Sequence, residues 1–96
     1  MNKTILITGG AIRIGKAICE KFHKEGFNIL CHYNSSKKYA DELSEELNSI
    51  RKDSCSIIQF DLNDIDKYPV FIEKIKELSK SVDVLVNNAS AFYSSP

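Results

Sequence analysis

Short apolar runs alternate with longer amphipathic ones along the chain. Thr4-Ile5-Leu6-Ile7-Thr8 is rich in β-branched residues and stops at Gly9-Gly10, which predicts a first strand. From Arg13 to Glu25, Ile14, Ile18 and Phe22 recur every four positions with Ala17 beside them. This predicts a helix with that face inward, stopped by Gly26. Asn28-Ile29-Leu30-Cys31-His32 predicts a second strand. Ser35 and Ser36 then offer N-caps to a second helix whose face is Ala40, Leu43, Leu47 and Ile50. Ser56-Ile57-Ile58-Gln59-Phe60 predicts a third strand, ending at Asp61. Pro69 fits a helix only in its first turn, so a third helix is predicted to start near Asp66, with Phe71, Ile75 and Leu78 inward. Val82-Asp83-Val84-Leu85-Val86 predicts a fourth strand, ending at Asn87-Asn88.

The resulting order is β-α-β-α-β-α-β. Near-continuous apolar strands separated by helices predict an α/β fold with a doubly wound parallel sheet covered on both faces. Right-handed crossovers leave few topologies. The fourth strand is expected at one edge, where its apolar ladder calls for a neighbour. The sequence reaches Ser94-Ser95-Pro96 with no further helix. Residues 1–96 are therefore expected to be the N-terminal part of a single domain, truncated after the fourth strand.

Composition narrows the class. Thirteen Lys plus Arg balance thirteen Asp plus Glu, 43% of residues are hydrophobic and 27% charged. This excludes collagen, a disordered tail and a polybasic nucleic-acid arm. No apolar run approaches the roughly 20 residues that span a bilayer, and the apolar stretch after Lys3 is too short for a secretory signal. The expectation is a cytoplasmic chain with neither nucleic acid nor membrane as partner. The odd set Cys19, Cys31 and Cys55 contains no C-x-x-C and reads as reduced thiols, with Cys31 and Cys55 as small core residues. His23 and His32 stand apart from other ligands, so no metal site is predicted. The acidic cluster Asp41, Glu42, Glu45 and Glu46 reads as a solvated helix face.

The chemistry concentrates in Thr8-Gly9-Gly10-Ala11-Ile12-Arg13-Ile14-Gly15, at the turn from first strand to first helix. Glycines there let the backbone approach an anion, and the helix N-terminus offers free N–H groups and a positive dipole end. Gly10 to Lys16 fits the nucleoside-triphosphate loop G-x-x-x-x-G-K, but Ala17 stands where a Mg²⁺-binding Ser or Thr is required. The dinucleotide pattern G-x-G-x-x-G is also absent. The spacing T-G-x-x-x-x-x-G instead resembles the T-G-x-x-x-G-x-G of short-chain dehydrogenases/reductases, with Arg13 in place of the middle glycine. Asn87-Asn88-Ala89-Ser90 resembles the N-N-A-G of the same family.

Thr-Gly-Gly-Ala-x-Arg-Ile-Gly, His32-Tyr33, Asp61-Leu62 and Asn88-Ala89-Ser90-x-Phe92-Tyr93 together resemble the pteridine reductase branch, which includes dihydromonapterin and dihydrofolate reductases. The resemblance covers nearly the whole chain and implies a Rossmann-type fold. It further implies a cofactor site of Gly9, Arg13, Ile14, Gly15, His32, Tyr33, Asn34, Ser35, Ser36, Asp61, Leu62, Asn88, Ala89 and Ser90. Arg13, Ser90 and Phe92 would meet the substrate. A turn or capping role for Asp61 and a core role for Phe92 are the rival readings.

Cofactor choice also follows from charge. An Asp or Glu near the end of the second strand binds the ribose hydroxyls in NAD sites. Here His32, Tyr33, Asn34, Ser35 and Ser36 stand there instead, so with Arg13 the expectation is NADPH. Lys37 and Lys38 read as a solvated helix start. The family's Tyr-x-x-x-Lys pair has no counterpart at its expected location, since Tyr33-Lys37 lies at the end of the second strand. No catalytic residue is assigned within the chain, and the Tyr and Lys are expected beyond Pro96. The expected function is NADPH-dependent reduction of a pterin or dihydrofolate by hydride transfer, in a homo-oligomer, a tetramer when complete. The alternatives are another short-chain carbonyl reductase and a non-catalytic nucleotide-binding fragment.

Overall fold

The computed structural model describes residues 2–88. Ala89, Ser90, Phe92 and Tyr93 lie outside the described residues. Four strands, β1 (Thr4–Thr8), β2 (Asn28–Tyr33), β3 (Cys55–Gln59) and β4 (Val84–Asn87), form one parallel sheet in the order β3-β2-β1-β4. Helices α1 (Arg13–Lys24), α2 (Lys37–Ile50) and α3 (Tyr68–Leu78) alternate with them, a short 3₁₀ turn (Ile65–Lys67) leading into α3. The chain steps outward from β1 to β2 to β3 and returns to β4 on the other side of β1. The crevice where the direction reverses is the place where open parallel sheets bind ligands. Among the described residues no helix is long and apolar enough to cross a membrane.

The strands have period two, so each sheet face builds its own core. Ile5, Ile7, Ile29, Cys31 and Tyr33 point to the side covered by α1 and α2. Leu6, Leu30, Ile58 and Phe60 point to the other side, where Phe71 of α3 covers them. Phe60 and Phe71 stack with centroids 4.3 Å apart, and Tyr68 meets Phe60 edge-on at 5.5 Å. Cys31 and Cys55 are buried core residues, and Cys19 joins them.

The inward face of α1 differs from the one its hydrophobic period predicts. Ile14 is 70% exposed and Ala17 is exposed, while Gly15, Cys19 and His23 are buried and Ile18 and Phe22 half-buried. Close approach of the helix to the loop after β1 selects the small stripe Gly15–Cys19 over the branched Ile14. Ile50 and Leu78, also predicted inward, are exposed at the last residues of α2 and α3. Ala40, Leu43, Leu47 and Phe71 are buried as their spacing implies. Ser36 occupies the N-cap of α2 without a side-chain capping bond. Helix α3 begins at Tyr68 rather than near Asp66, because the 3₁₀ turn takes the preceding residues and Pro69 then falls in the first turn.

At the opposite end of α1, the buried His23 ring shares a 2.6 Å hydrogen bond with the Ser54 hydroxyl just before β3. The Arg51 guanidinium donates to the carbonyls of His23 (3.1 Å) and Phe27 (2.5 Å). These bonds tie α1, α2 and the entries to β2 and β3 together at the sheet edge away from the crevice.

Candidate functional site

A cleft of about 440 Å³ opens at the carboxyl end of the strands. The loop after β1 and the start of α1 supply Gly9, Ala11, Ile12, Arg13 and Ile14. The end of β2 supplies His32, Tyr33, Asn34, Ser35 and Ser36. Leu62 after β3 and Asn88 after β4 complete it. Ten of the residues singled out in the sequence thus come together here. Gly15 sits behind the wall and Asp61 outside it. Asp61 is exposed, and its carboxylate accepts the Asn63 N–H at 2.9 Å. That bond closes the turn after β3. Ala11 and Ile12 line the cleft as well; no special residue type marked them in the sequence.

The glycine loop is held from three directions. Gly9 adopts φ 63°, a conformation glycine takes without penalty. Its carbonyl accepts from Asn88 Nδ2 at 3.0 Å, and the Asn88 N–H donates to Thr8 Oγ1 at 2.9 Å. Thr8 Oγ1 donates to Asn87 Oδ1 at 3.1 Å, so Asn87 acts at the strand end as a structural residue. A Cβ on Gly15 would lie 2.2 Å from the Gly9 carbonyl oxygen and 2.7 Å from Asn88 Nδ2. Only glycine at position 15 lets α1 begin against this loop. Gly10 packs beneath it, where a Cβ would meet the sulfurs of Cys19 and Cys31 at 3.0 and 3.1 Å.

His32 is 2% exposed, and both ring nitrogens are engaged within the protein. The Gly9 N–H donates to Nδ1 at 3.1 Å, and Nε2 lies 2.7 Å from the Phe60 carbonyl. A backbone N–H at Nδ1 and a carbonyl at Nε2 fix the neutral tautomer with its proton on Nε2. Burial lowers the His32 pKa below 6.5, partly opposed by the bond to Phe60. His32 lines the cleft, and its ring nitrogens meet the Gly9 N–H and the Phe60 carbonyl.

Arg13 is exposed at the cleft mouth, and no acidic side chain pairs with it among the described residues. Its backbone has φ 55°, the left-handed region that favours glycine, at the position where the related motif carries one. Among the described residues no carboxylate lines the cleft. Lys37 is committed to Asp41 of its own helix at 2.8 Å, as the solvated-start reading implies. Asn34 is braced by Gln59, whose Nε2 donates to the Asn34 carbonyl at 2.9 Å. The thiols are poor nucleophiles: the neighbouring Cys31 side chain and burial push Cys19 up, and burial pushes Cys55 up to about 12.

The cleft therefore offers a cation, hydroxyls, backbone N–H groups at a helix start and apolar walls to an extended anionic ligand. These features fit a nicotinamide dinucleotide: the absent Gly15 Cβ is the space that close loop packing needs, and the helix start offers N–H groups to a pyrophosphate.

Comparison with known proteins is consistent with this geometry. The profile of the short chain dehydrogenase family matches residues 3–96. The chain is 36% identical over 89 residues to the 3-oxoacyl-[acyl-carrier-protein] reductase FabG of Staphylococcus aureus, covering 93% of this chain and 36% of that protein. It is 34% identical over 108 residues to pteridine reductase 1 of Leishmania tarentolae, covering 95% of this chain and 37% of that protein. It is 44% identical over 63 residues to the uncharacterized oxidoreductase YmfI of Bacillus subtilis, covering 66% of this chain and 26% of that protein. The chain thus spans between about a quarter and little more than a third of the length of these relatives.

Proposed function

The chain belongs to the short-chain dehydrogenase family, and on that premise we propose that it is the NADPH-binding part of a Rossmann-fold reductase that reduces a pterin or dihydrofolate. The observation that carries the cofactor is the pairing of an unpaired cation, Arg13, with a cleft free of carboxylates. Arg13, Ser35 and Ser36 would hold the 2′-phosphate, and Tyr33 and Leu62 would flank the adenosine. Gly9, Ile14 and Asn88 would lie along the pyrophosphate and ribose. When bound, NADPH supplies a hydride. The residues of this chain bind it, orient it and exclude water from one side. Ser90 and Phe92 are proposed to meet the pterin, the hydroxyl at its polar edge and the ring against its flat face.

Pterin as substrate is supported by the Asn88-Ala89-Ser90-x-Phe92-Tyr93 block and by the likeness to pteridine reductase 1. The likeness to FabG favours a second reading, reduction of a 3-oxoacyl thioester. NADPH oxidation by the intact protein that carries this chain, followed with dihydropterin, dihydrofolate and a 3-oxoacyl thioester, separates them. Turnover of a pterin at least tenfold more efficient than of the thioester is expected; the reverse preference refutes the pterin reading.

A further inference from the structure

The two N–H groups that open the glycine loop end on one residue of the neighbouring strand. The Gly9 N–H meets the His32 ring at Nδ1 (3.1 Å), and the Gly10 N–H meets the His32 carbonyl (3.0 Å). The far side of the ring is anchored by Nε2 to the Phe60 carbonyl at the end of β3 (2.7 Å). Its face is closed by Phe71 of α3, centroid to centroid 5.7 Å. We infer that His32 is a positioning residue: through its Nδ1 acceptor it sets where the Gly9 peptide stands, and so shapes the nucleotide cleft without being required to touch the nucleotide. The inference rests on the proposed NADPH site.

The physical argument is one of matching. A half-buried N–H needs an acceptor, and the Gly9 N–H, just past the end of β1, has the His32 ring as its acceptor. Few side chains at the end of β2 can accept there while donating on the opposite side to a carbonyl of β3. A neutral imidazole does both, and its rigidity links β1, β2 and β3 across the site. Protonation reverses the polarity at Nδ1 and sets an N–H against the Gly9 N–H. The groups packed on the ring are the Gly9 N–H from the β1 loop, the Phe60 carbonyl from the end of β3 and the Phe71 ring from α3. Among the described residues no charged side chain acts on it, so only the Phe60 carbonyl favours a proton there, against the cost of burial.

Asn and Gln divide the two roles. The Oδ1 of Asn reproduces the acceptor near Nδ1, whereas the Nε2 of Gln reproduces the donor toward Phe60. Both lose the ring, so comparing them cancels the packing cost they share. NADPH affinity is measured by calorimetry on the intact protein and its His32→Asn and His32→Gln variants, with folding checked by circular dichroism. The Asn variant is expected to bind about tenfold or more tightly than the Gln variant, since the latter leaves the half-buried Gly9 N–H without an acceptor. Affinity of the unsubstituted protein should hold as pH passes through 6.5 and fall only as the lowered native pKa of His32 is approached, and the Asn variant should fall less steeply; the 2′-phosphate titrates alike in both. Equal affinity of the two variants, or tighter binding by Gln, overturns the inference while leaving the NADPH reading intact. Absence of NADPH binding by the unsubstituted protein overturns that reading and the inference with it.

Discussion

Gly15→Ala tests the packing that builds the cleft. The added Cβ would sit 2.2 Å from the Gly9 carbonyl oxygen, 2.7 Å from Asn88 Nδ2 and 2.8 Å from the Gly10 Cα. Non-bonded carbon contacts are most favourable at about 3.5–4.0 Å, so α1 and the loop must part by roughly 1 Å. Two of the three obstructing atoms are backbone and cannot rotate aside. Overpacking of this kind costs about 1–3 kcal/mol. Losing the bond from Asn88 to the Gly9 carbonyl adds about 1 kcal/mol. A total of about 2–4 kcal/mol corresponds to a fall in melting temperature of roughly 10–30 °C in a chain of 96 residues. Because the displaced peptide is the one that faces the cleft, NADPH affinity should drop more than tenfold in parallel.

Gly26→Ala is the control. Gly26 also has a positive φ, 101°, but a Cβ there meets nothing within 4 Å, and the residue lies away from the cleft. It should lower the melting temperature through backbone strain alone, by about 1–2 kcal/mol, with NADPH affinity unchanged. Differential scanning calorimetry and isothermal titration on the three proteins read both quantities. A Gly15→Ala protein melting within 2 °C of the parent and binding NADPH within twofold would refute the steric argument.

Two further outcomes are expected. Arg13→Gly should raise the melting temperature slightly, because glycine relieves φ 55°, yet weaken NADPH about ten- to a hundredfold while barely changing NADH; equal loss for both cofactors would show that Arg13 only shapes the loop. Burial, helped by Arg51, lowers the His23 pKa below 6.5, so as pH falls through 6.5 the unfolded state takes up a proton that the native state refuses. Each such histidine then removes up to about 1.4 kcal/mol of stability per pH unit until its native pKa is reached, and contributes no slope above 6.5. Urea midpoints between pH 7.5 and 5.0 should fall more steeply for the parent than for His23→Gln; parallel curves would refute it.

The sheet was legible because strand burial here is nearly binary. Ile5, Leu6 and Ile7 are all buried, since both faces are covered, and such a run has few other homes. Turns were legible where glycine or asparagine had a geometric task, as at Gly9 and Gly26. Helix faces were less so. Hydrophobicity ranks Ile14 above Gly15, whereas packing at the loop ranks them by size, and size decided which residue faces inward. The ends of α2 and α3 failed for a related reason: Ile50 and Leu78 extend past the sheet they were expected to cover. In the site, charge and residue type marked Arg13 and the end of β2, but the function of the His32 ring lay in a contact across 23 residues that no local pattern contains. The signal present was register: Leu30 and His32 share a sheet face, and Ile7 pairs with Cys31, which sets position 32 beside the start of the glycine loop.

Three elements converge on one residue of that loop. The Gly9 N–H ends on His32 of β2, its carbonyl on Asn88 after β4, and its flank on Gly15 of α1. With the acceptor, the donor and the steric wall supplied by His32, Asn88 and Gly15, the conformation of Gly9 is fixed without a contribution from position 13. This accounts for how the loop accommodates Arg13 where the related motif has glycine. The left-handed turn at position 13 is imposed by a fixed start at Gly9 and a helix that must begin against it. The strain of about 1–2 kcal/mol is confined to that residue. The same constraint aims the guanidinium outward to the cleft mouth. The departure from the glycine pattern and the proposed preference for a phosphorylated ribose would then both follow from one substitution.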